Sequence, residues 1–337
     1  MNGATMTEPL LDLRGLRTQF TTKRGLIPAV DEVSIRVGKG ESVGIVGESG
    51  CGKSVTLLSL LRLVSPPGRI VGGSARFCGE DLLSLSERGI REIRGRDIAM
   101  IFQEPMTSLN PVYTIGKQVA ESLRYHRSGL GAREVREAVT GMFARVGMSE
   151  PEKRFEAWPH QLSGGLRQRA MIAMALICRP KLLIADEPTT ALDVTIEAQI
   201  LKLMLDLQRE TGTSIILVSH NLGVIAETCD RVYVMYAGRV VEEAGVFDLF
   251  DEPSHPYTSG LLRSIPGSSG EAGPGKKLYS IRGNVPDMSR LPPGCRFAPR
   301  CDRVQAICRE KEPDLREIAK GHAARCWFAG VERGSPS

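Results

Sequence analysis

Residues 41–64 read ESVGIVGESGCGKSVTLLSLLRLV: a short β-rich run, a glycine loop, then an apolar helical stretch. Within it Gly47, Glu48, Ser49, Gly50, Cys51, Gly52, Lys53 and Ser54 fit G-x-x-x-x-G-K-[ST] in the strand–loop–helix setting that gives this pattern meaning. Such a loop commits the chain to an α/β core. Glycines let the backbone wrap closely round phosphates, so several N–H groups and the positive helix end face the anion. Lys53 can neutralise β- and γ-phosphates and the Ser54 hydroxyl can ligate Mg²⁺, with Val55 completing the nucleotide-contacting run.

A second apolar strand, KLLIADEP (181–188), ends in two carboxylates. Asp186 suits a Mg²⁺ position and Glu187 could polarise an attacking water. Between the two strands, Ser163, Gly164 and Gly165 precede a strongly apolar helix and present free N–H groups and a hydroxyl at its positive end. Standing 23 residues before Asp186, this SGG closely resembles the signature of the ATP-binding cassette (ABC) ATPases. Leu166 stands where that family usually has Gln.

The resemblance extends through the chain from about residue 20 to 245. Gln103 in IFQEP resembles the Q-loop glutamine, which contacts Mg²⁺ or the water and reports to a membrane partner. Asp193 in TALD resembles the D-loop aspartate that reaches across a dimer interface, and His220 resembles the switch histidine on the γ-phosphate. Phe20 is the aromatic in the region where family members stack adenine. The resemblance implies that ATP is clamped between two cassettes, the phosphate loop of one facing the signature serine of the other.

These placements predict an α/β fold: an ABC-type P-loop nucleotide-binding domain over 1–252, with a RecA-like core, an antiparallel β subdomain and a helical subdomain at about 104–180. Runs such as AVDEVSIRV give 10–80 a β texture, and 81–180 reads as helix-rich from the apolar spacing of IREIRGRDIAMIF and EVREAVTGMFARVGM. From 181 to 240 strands alternate with helices. One helix, 195–209, sets Ile196, Ile200, Leu203 and Leu207 on one face. After about residue 250 the texture changes to a polar, proline-bearing segment and a Gly/Ser/Pro linker, so 253–337 is expected to be an extension.

At 337 residues the chain can fill one large and one smaller domain. The 44 basic against 39 acidic residues make a mild excess that a solvated surface explains. The start lacks a basic region followed by an apolar core, so no secretory signal is expected. The longest apolar run, AMIAMALIC, falls far short of the ~20 residues that cross a bilayer. A reducing cytosol then favours thiols or metal ligands over disulfides.

Half of the eight cysteines crowd into the tail as Cys295, Cys301, Cys308 and Cys326. Four thiolates suit tetrahedral zinc or a [4Fe–4S] cluster, and the spacing does not separate the two. HPYTSGLL (255–262) followed by GCRFAPRC, with PMTSLNPVYTIGKQV (105–119), resembles the dipeptide, oligopeptide and nickel importer branch of the ABC family. That resemblance tilts the choice to a [4Fe–4S] cluster, with zinc as runner-up. It also implies ATP and Mg²⁺, a second and different homologous ATPase subunit, two transmembrane permease subunits, an indirect link to a substrate-binding protein, and a peripheral place on the cytoplasmic face of the inner membrane. Nucleic acid is not expected as a partner. The rival reading, a soluble ABC ATPase acting on nucleic acid or ribosomes, would call for a second cassette or long coiled-coil insertions.

Overall fold

The structure, a computed structural model, describes residues 8–23, 25–103, 108–190, 192–265 and 279–330. Part of the expected linker, 266–278, lies outside them, as do residues 104–107 of the segment after Gln103 and Ala191 of the D-loop. Packing divides the chain into two compact units. One is built chiefly from Ser84–Val218; the other takes Leu10–Arg36, Val43–Leu83 and everything from Ser219 onward. The units therefore cut across the boundary drawn at 252–253, for the phosphate-loop strand and the C-terminal residues share one of them.

In that unit β1 (Leu11–Thr22), β2 (Gly25–Val37), β4 (Gly68–Phe77) and β5 (Glu80–Asp81) form a four-stranded sheet in the order β2-β1-β4-β5. β1 and β4 run antiparallel from Leu11 opposite Phe77 to Phe20 opposite Gly68. Leu11, Leu13 and Leu16 enter the core. A second sheet holds β3 (Ser42–Val46), all five residues buried, parallel to β9 (Arg231–Tyr236). A strand covered on both faces must be apolar throughout, which is why SVGIV shows no alternation. β10 (Arg239–Gly245) returns antiparallel along β9, β12 (His322–Ala324) pairs with β10 at Glu242 opposite Ala324, and β11 (Arg316–Ala319) pairs with β12.

The helices of this unit are α1 (Lys53–Leu60), α8 (Leu222–Thr228), α9 (Val246–Asp251), α10 (Pro256–Arg263) and α11 (Ala306–Glu310). α8 lies hard against β3: a Cβ on Gly44 would stand 2.8 Å from Cγ2 of Ile225, so only glycine admits the helix. The C-terminal residues borrow their core from β9. Tyr236, Tyr257 and Phe297 pack ring on ring with centroids 4.7–5.5 Å apart.

The other unit stacks β6 (Ile98–Ile101), β7 (Leu182–Asp186) and β8 (Ser214–Val218) in parallel. Its helices are α2 (Glu87–Ile93), α3 (Ile115–His126), α4 (Ala132–Arg145), α5 (Pro151–Glu156), α6 (Gly164–Leu176) and α7 (Val194–Thr211). Val119, Leu123, Val139, Phe143 and Ile172 are buried among them. A Cβ on Gly116 would lie 2.3 Å from the Phe155 ring, so α3 and α5 meet on a glycine.

Two readings of periodicity need correction. IREIRGRDIAMIF is not one helix: α2 stops at Ile93, Gly95 turns the chain at φ +78°, and IAMI is β6. A four-residue apolar run satisfies helical and strand spacing alike, and parallel pairing with β7 decides the matter. On α7 the buried residues are Ile200, Leu201, Met204 and Leu207, while Ile196 and Leu203 are half-buried. The stripe is turned by part of a residue step from the expected one.

Candidate functional site

Three glycines give the phosphate loop its course, with φ of +151° at Gly47, +77° at Gly50 and +103° at Gly52. Side chains are excluded by contact as well as by dihedral. A Cβ at Gly47 would sit 2.2 Å from the Met235 carbonyl oxygen, and one at Gly52 2.3 Å from that of Ala29. Lys53 is buried and folds back over the loop, its ammonium donating to the carbonyls of Gly47 (2.7 Å) and Glu48 (3.1 Å). The loop is thus a closed ring of backbone with a cation at its centre and α1 behind it, a cradle suited to a polyphosphate. Ser49 and Gly50 are exposed, and Ser54 and Val55 half-buried. Burial raises the Cys51 thiol, so this side chain packs the loop as a neutral group.

Phe20 is half-buried on β1, and its ring lies beside Gly68, where an added Cβ would come within 2.6 Å of Cε1. His220 is exposed just after β8, where the Asn221 carboxamide caps α8 by accepting from the Gly223 and Val224 N–H groups.

In the other unit, Asp186 ends β7 buried and Glu187 follows at φ +47°. The turn is held by the Glu187 N–H donating to the Val218 carbonyl of β8 at 3.0 Å. One carboxylate oxygen of Glu187 accepts from the Gln103 amide (3.1 Å) and from the Thr190 hydroxyl (3.0 Å). The structure therefore joins Gln103 to Glu187 directly and adds Thr190, which the motif reading passed over. Ser163 caps α6 by accepting from the Leu166 N–H, and Asp193 caps α7 by accepting from the Ile196 N–H. The two caps adjoin: a Cβ on Gly165 would stand 3.1 Å from Ile196 Cγ2. Ser163, Gly164 and Asp193 are exposed.

Cys295, Cys301, Cys308 and Cys326 line a single small cavity of about 30 Å³ with Pro256, Phe297 and Phe328 among its walls. The Cys295 N–H donates to the Cys308 carbonyl at 2.8 Å, and Gly294 permits the approach, since a Cβ there would lie 2.3 Å from the same oxygen. Burial pushes Cys295 up to about 12 and also raises Cys301 and Cys326, the neighbouring sulfurs adding to the effect. As the side chains stand, no three His, Cys, Asp or Glu residues among those described form a site for a single metal ion.

Two residues tie these C-terminal elements to the phosphate loop, and neither was singled out by motif. Tyr257 on α10 accepts the Glu48 N–H through its hydroxyl at 2.8 Å, and Arg300 grips the Glu48 carboxylate with both terminal nitrogens at 2.6 and 2.9 Å. Arg300 precedes Cys301 in GCRFAPRC, but a partner 252 residues earlier leaves no local signal.

The chain resembles known proteins along nearly its whole length. Residues 30–190 match the ABC transporter family, and 241–308 match the oligopeptide/dipeptide transporter C-terminal region. The oligopeptide transport ATP-binding protein AppD of Bacillus subtilis is 53% identical over 329 residues, covering 97% of this chain and 99% of its own. A protein of Sinorhizobium fredii named as a peptide ABC transporter ATP-binding protein, y4tR, is 53% identical over 319 residues, covering 94% of each. Among solved structures, the dimeric cassette MJ0796 in a post-hydrolysis state with ADP and Pi superposes with a TM-score of 0.64 at 27% identity, over 70% of this chain and 98% of that one. Among the described residues no helix is long and apolar enough to cross a membrane. With more than half of its residues identical to these relatives over almost its whole length, and both family models matched, the chain belongs to the ATP-binding proteins of ABC transporters, in the branch that carries the oligopeptide/dipeptide C-terminal region.

Proposed function

We propose that this chain is the ATP-hydrolysing subunit of an importer that takes up di- or oligopeptides, seated peripherally on the cytoplasmic face of the inner membrane. The observation that carries the reading is identity of 53% to peptide-transport ATP-binding proteins over nearly the full chain, C-terminal region included. The same coverage disfavours a nucleic-acid ATPase. Two permease subunits, a second and different cassette, and a substrate-binding protein acting through the permeases are its partners. The segment 105–119 after Gln103 receives the permeases.

Each site residue has a role in this reading. Lys53 and the loop amides would bind the ATP phosphates; Ser54, Gln103 and Asp186 would be the ligands of a Mg²⁺ ion, which would supply charge neutralisation on the phosphate oxygens. Glu187 takes a proton from the attacking water, with Gln103 and Thr190 fixing its carboxylate. His220 senses the γ-phosphate, Phe20 stacks adenine, and Ser163, Gly164, Gly165 and Asp193 serve the nucleotide of the opposing cassette.

In this reading the four C-terminal cysteines would hold a [4Fe–4S] cluster, with zinc as runner-up, which would tie together a region with little apolar core of its own. Four soft donors round one cavity support this. The functional reading is tested by co-expressing the chain with the membrane subunits of its transporter and measuring ATP-driven peptide uptake into vesicles. Failure to co-purify with any membrane subunit, with RNA or ribosomes retained instead, refutes it.

A further inference from the structure

Glu48 is held on three sides within the unit that carries the phosphate loop. Its N–H donates to the Tyr257 hydroxyl, its carboxylate takes both terminal nitrogens of Arg300, and its carbonyl accepts from the Lys53 ammonium. The Arg300 side chain is 4% exposed and that of Glu48 28%. A two-pronged pair so shielded is less screened and less loose than an ordinary surface ion pair. Arg300 is itself fixed, donating through Nε to the Arg282 carbonyl at 2.9 Å and lying within 3.4 Å of the Tyr236 hydroxyl.

A second tie runs alongside. Arg296, next to Cys295, donates to the Ala237 carbonyl at 2.6 Å and pairs with Asp31. The adjacent Gly238 N–H donates to the Cys51 carbonyl at 2.9 Å, and the Asp31 N–H to the Gly238 carbonyl at 2.8 Å. The arginines of GCRFAPRC thus reach the phosphate loop at Glu48 directly and at Cys51 through one turn of backbone.

We propose that Arg300 and Tyr257 are positioning residues for nucleotide binding: from the C-terminal region they fix Glu48, and through its carbonyl the place of the Lys53 ammonium. The phosphate loop then has its binding shape only while the C-terminal region is docked upon it. The inference rests on the reading of Gly47–Ser54 as the ATP phosphate site, and Lys53→Ala separates the two.

The test titrates the full chain with Mg²⁺ and methylanthraniloyl-ATP, then measures ATP hydrolysis. Arg300→Met, which keeps length and removes the fork, should weaken nucleotide binding about tenfold, within the usual range of coupling between sites. KM for ATP should rise in step, with kcat at saturating ATP within about twofold of the parent. Arg300→Lys should restore part of the affinity. Glu48→Gln should weaken binding by a similar factor, and the Arg300→Met/Glu48→Gln double variant should bind no more weakly than either single. If Arg300→Met does not fold, Glu48→Gln and Tyr257→Phe carry the same measurement. Unchanged affinity in these variants, or strictly additive losses in the double, overturns the inference. If Lys53→Ala also binds as the parent does, the ATP reading itself fails.

Discussion

Replacing Glu187 by Gln isolates the proposed base from the architecture around it. In the parent one carboxylate oxygen accepts from the Gln103 amide at 3.1 Å and from the Thr190 hydroxyl at 3.0 Å. The glutamine carbonyl oxygen can accept both of these bonds, and the backbone bond from residue 187 to the Val218 carbonyl does not involve the side chain. The fold and ATP affinity should therefore survive while proton acceptance is lost. General-base catalysis contributes about 10²–10⁴ in rate, or roughly 3–5 kcal/mol of barrier. Turnover should fall by that factor in a steady-state phosphate-release assay, with the nucleotide Kd within about threefold of the parent. Glu187→Ala should lose as much turnover and in addition leave Gln103 and Thr190 without their acceptor, lowering the melting temperature. Turnover of Glu187→Gln within about fivefold of the parent would refute the assignment.

Acid should weaken the C-terminal docking. Burial holds His255 down at about 4 against an ordinary 6.5, and its Nδ1 accepts the Tyr257 N–H at 3.1 Å, a bond the protonated ring cannot make. Because the unfolded chain binds a proton that the folded one refuses, this stability is full above pH 6.5 and falls as pH drops toward 4, by about 2 kcal/mol at pH 5. Urea midpoints at pH 7.5 and 5 measure it, and a His255→Gln variant whose midpoints fall by the same amount would exclude this histidine as the cause. Gly116→Val should destabilise by about 1–3 kcal/mol or more, since its Cβ would meet the Phe155 ring; a paired Phe155→Ala should recover part of the loss in thermal melts, and no recovery would point away from this contact. Protein prepared without oxygen should be brown, with iron and acid-labile sulfide near four each per chain; colourless protein with stoichiometric zinc would replace the iron assignment.

The phosphate loop was legible because its chemistry is contiguous: eight residues carry the glycines, lysine and serine, and their order fixes strand, turn and helix. The carboxylate pair and the SGG cap were legible for the same reason. Where the reading slipped, the deciding contact was distant. Nothing in IREIRGRDIAMIF itself separates a long helix from a helix and strand until β6 lies against β7. The α7 stripe was placed from spacing alone, and the neighbours that cover Leu201 and Met204 rather than Ile196 are tertiary. The hold of Arg300 on Glu48 joins positions 252 residues apart, and Thr190 gains meaning only because the turn at Glu187 brings its hydroxyl onto the carboxylate.

The pairing of β12 with β10 has a consequence for how this chain can be dissected. β10 is seven residues long, and β12 covers its outer side, helped by the Arg325 N–H on the Val241 carbonyl at 2.7 Å and the Arg325 guanidinium on the Val240 carbonyl at 3.1 Å. Trimming the chain after Ile265 to obtain a minimal ATPase would strip that cover and leave a strand edge of open N–H and C=O groups, a template for edge-to-edge aggregation. Chimeras that graft this C-terminus onto a foreign cassette, or remove it, therefore change colloidal behaviour before they change chemistry. Inactivity in such a hybrid reports precipitation unless the protein is first shown to be monodisperse, and point substitutions that spare β11 and β12 are the sound way to interrogate the cysteines.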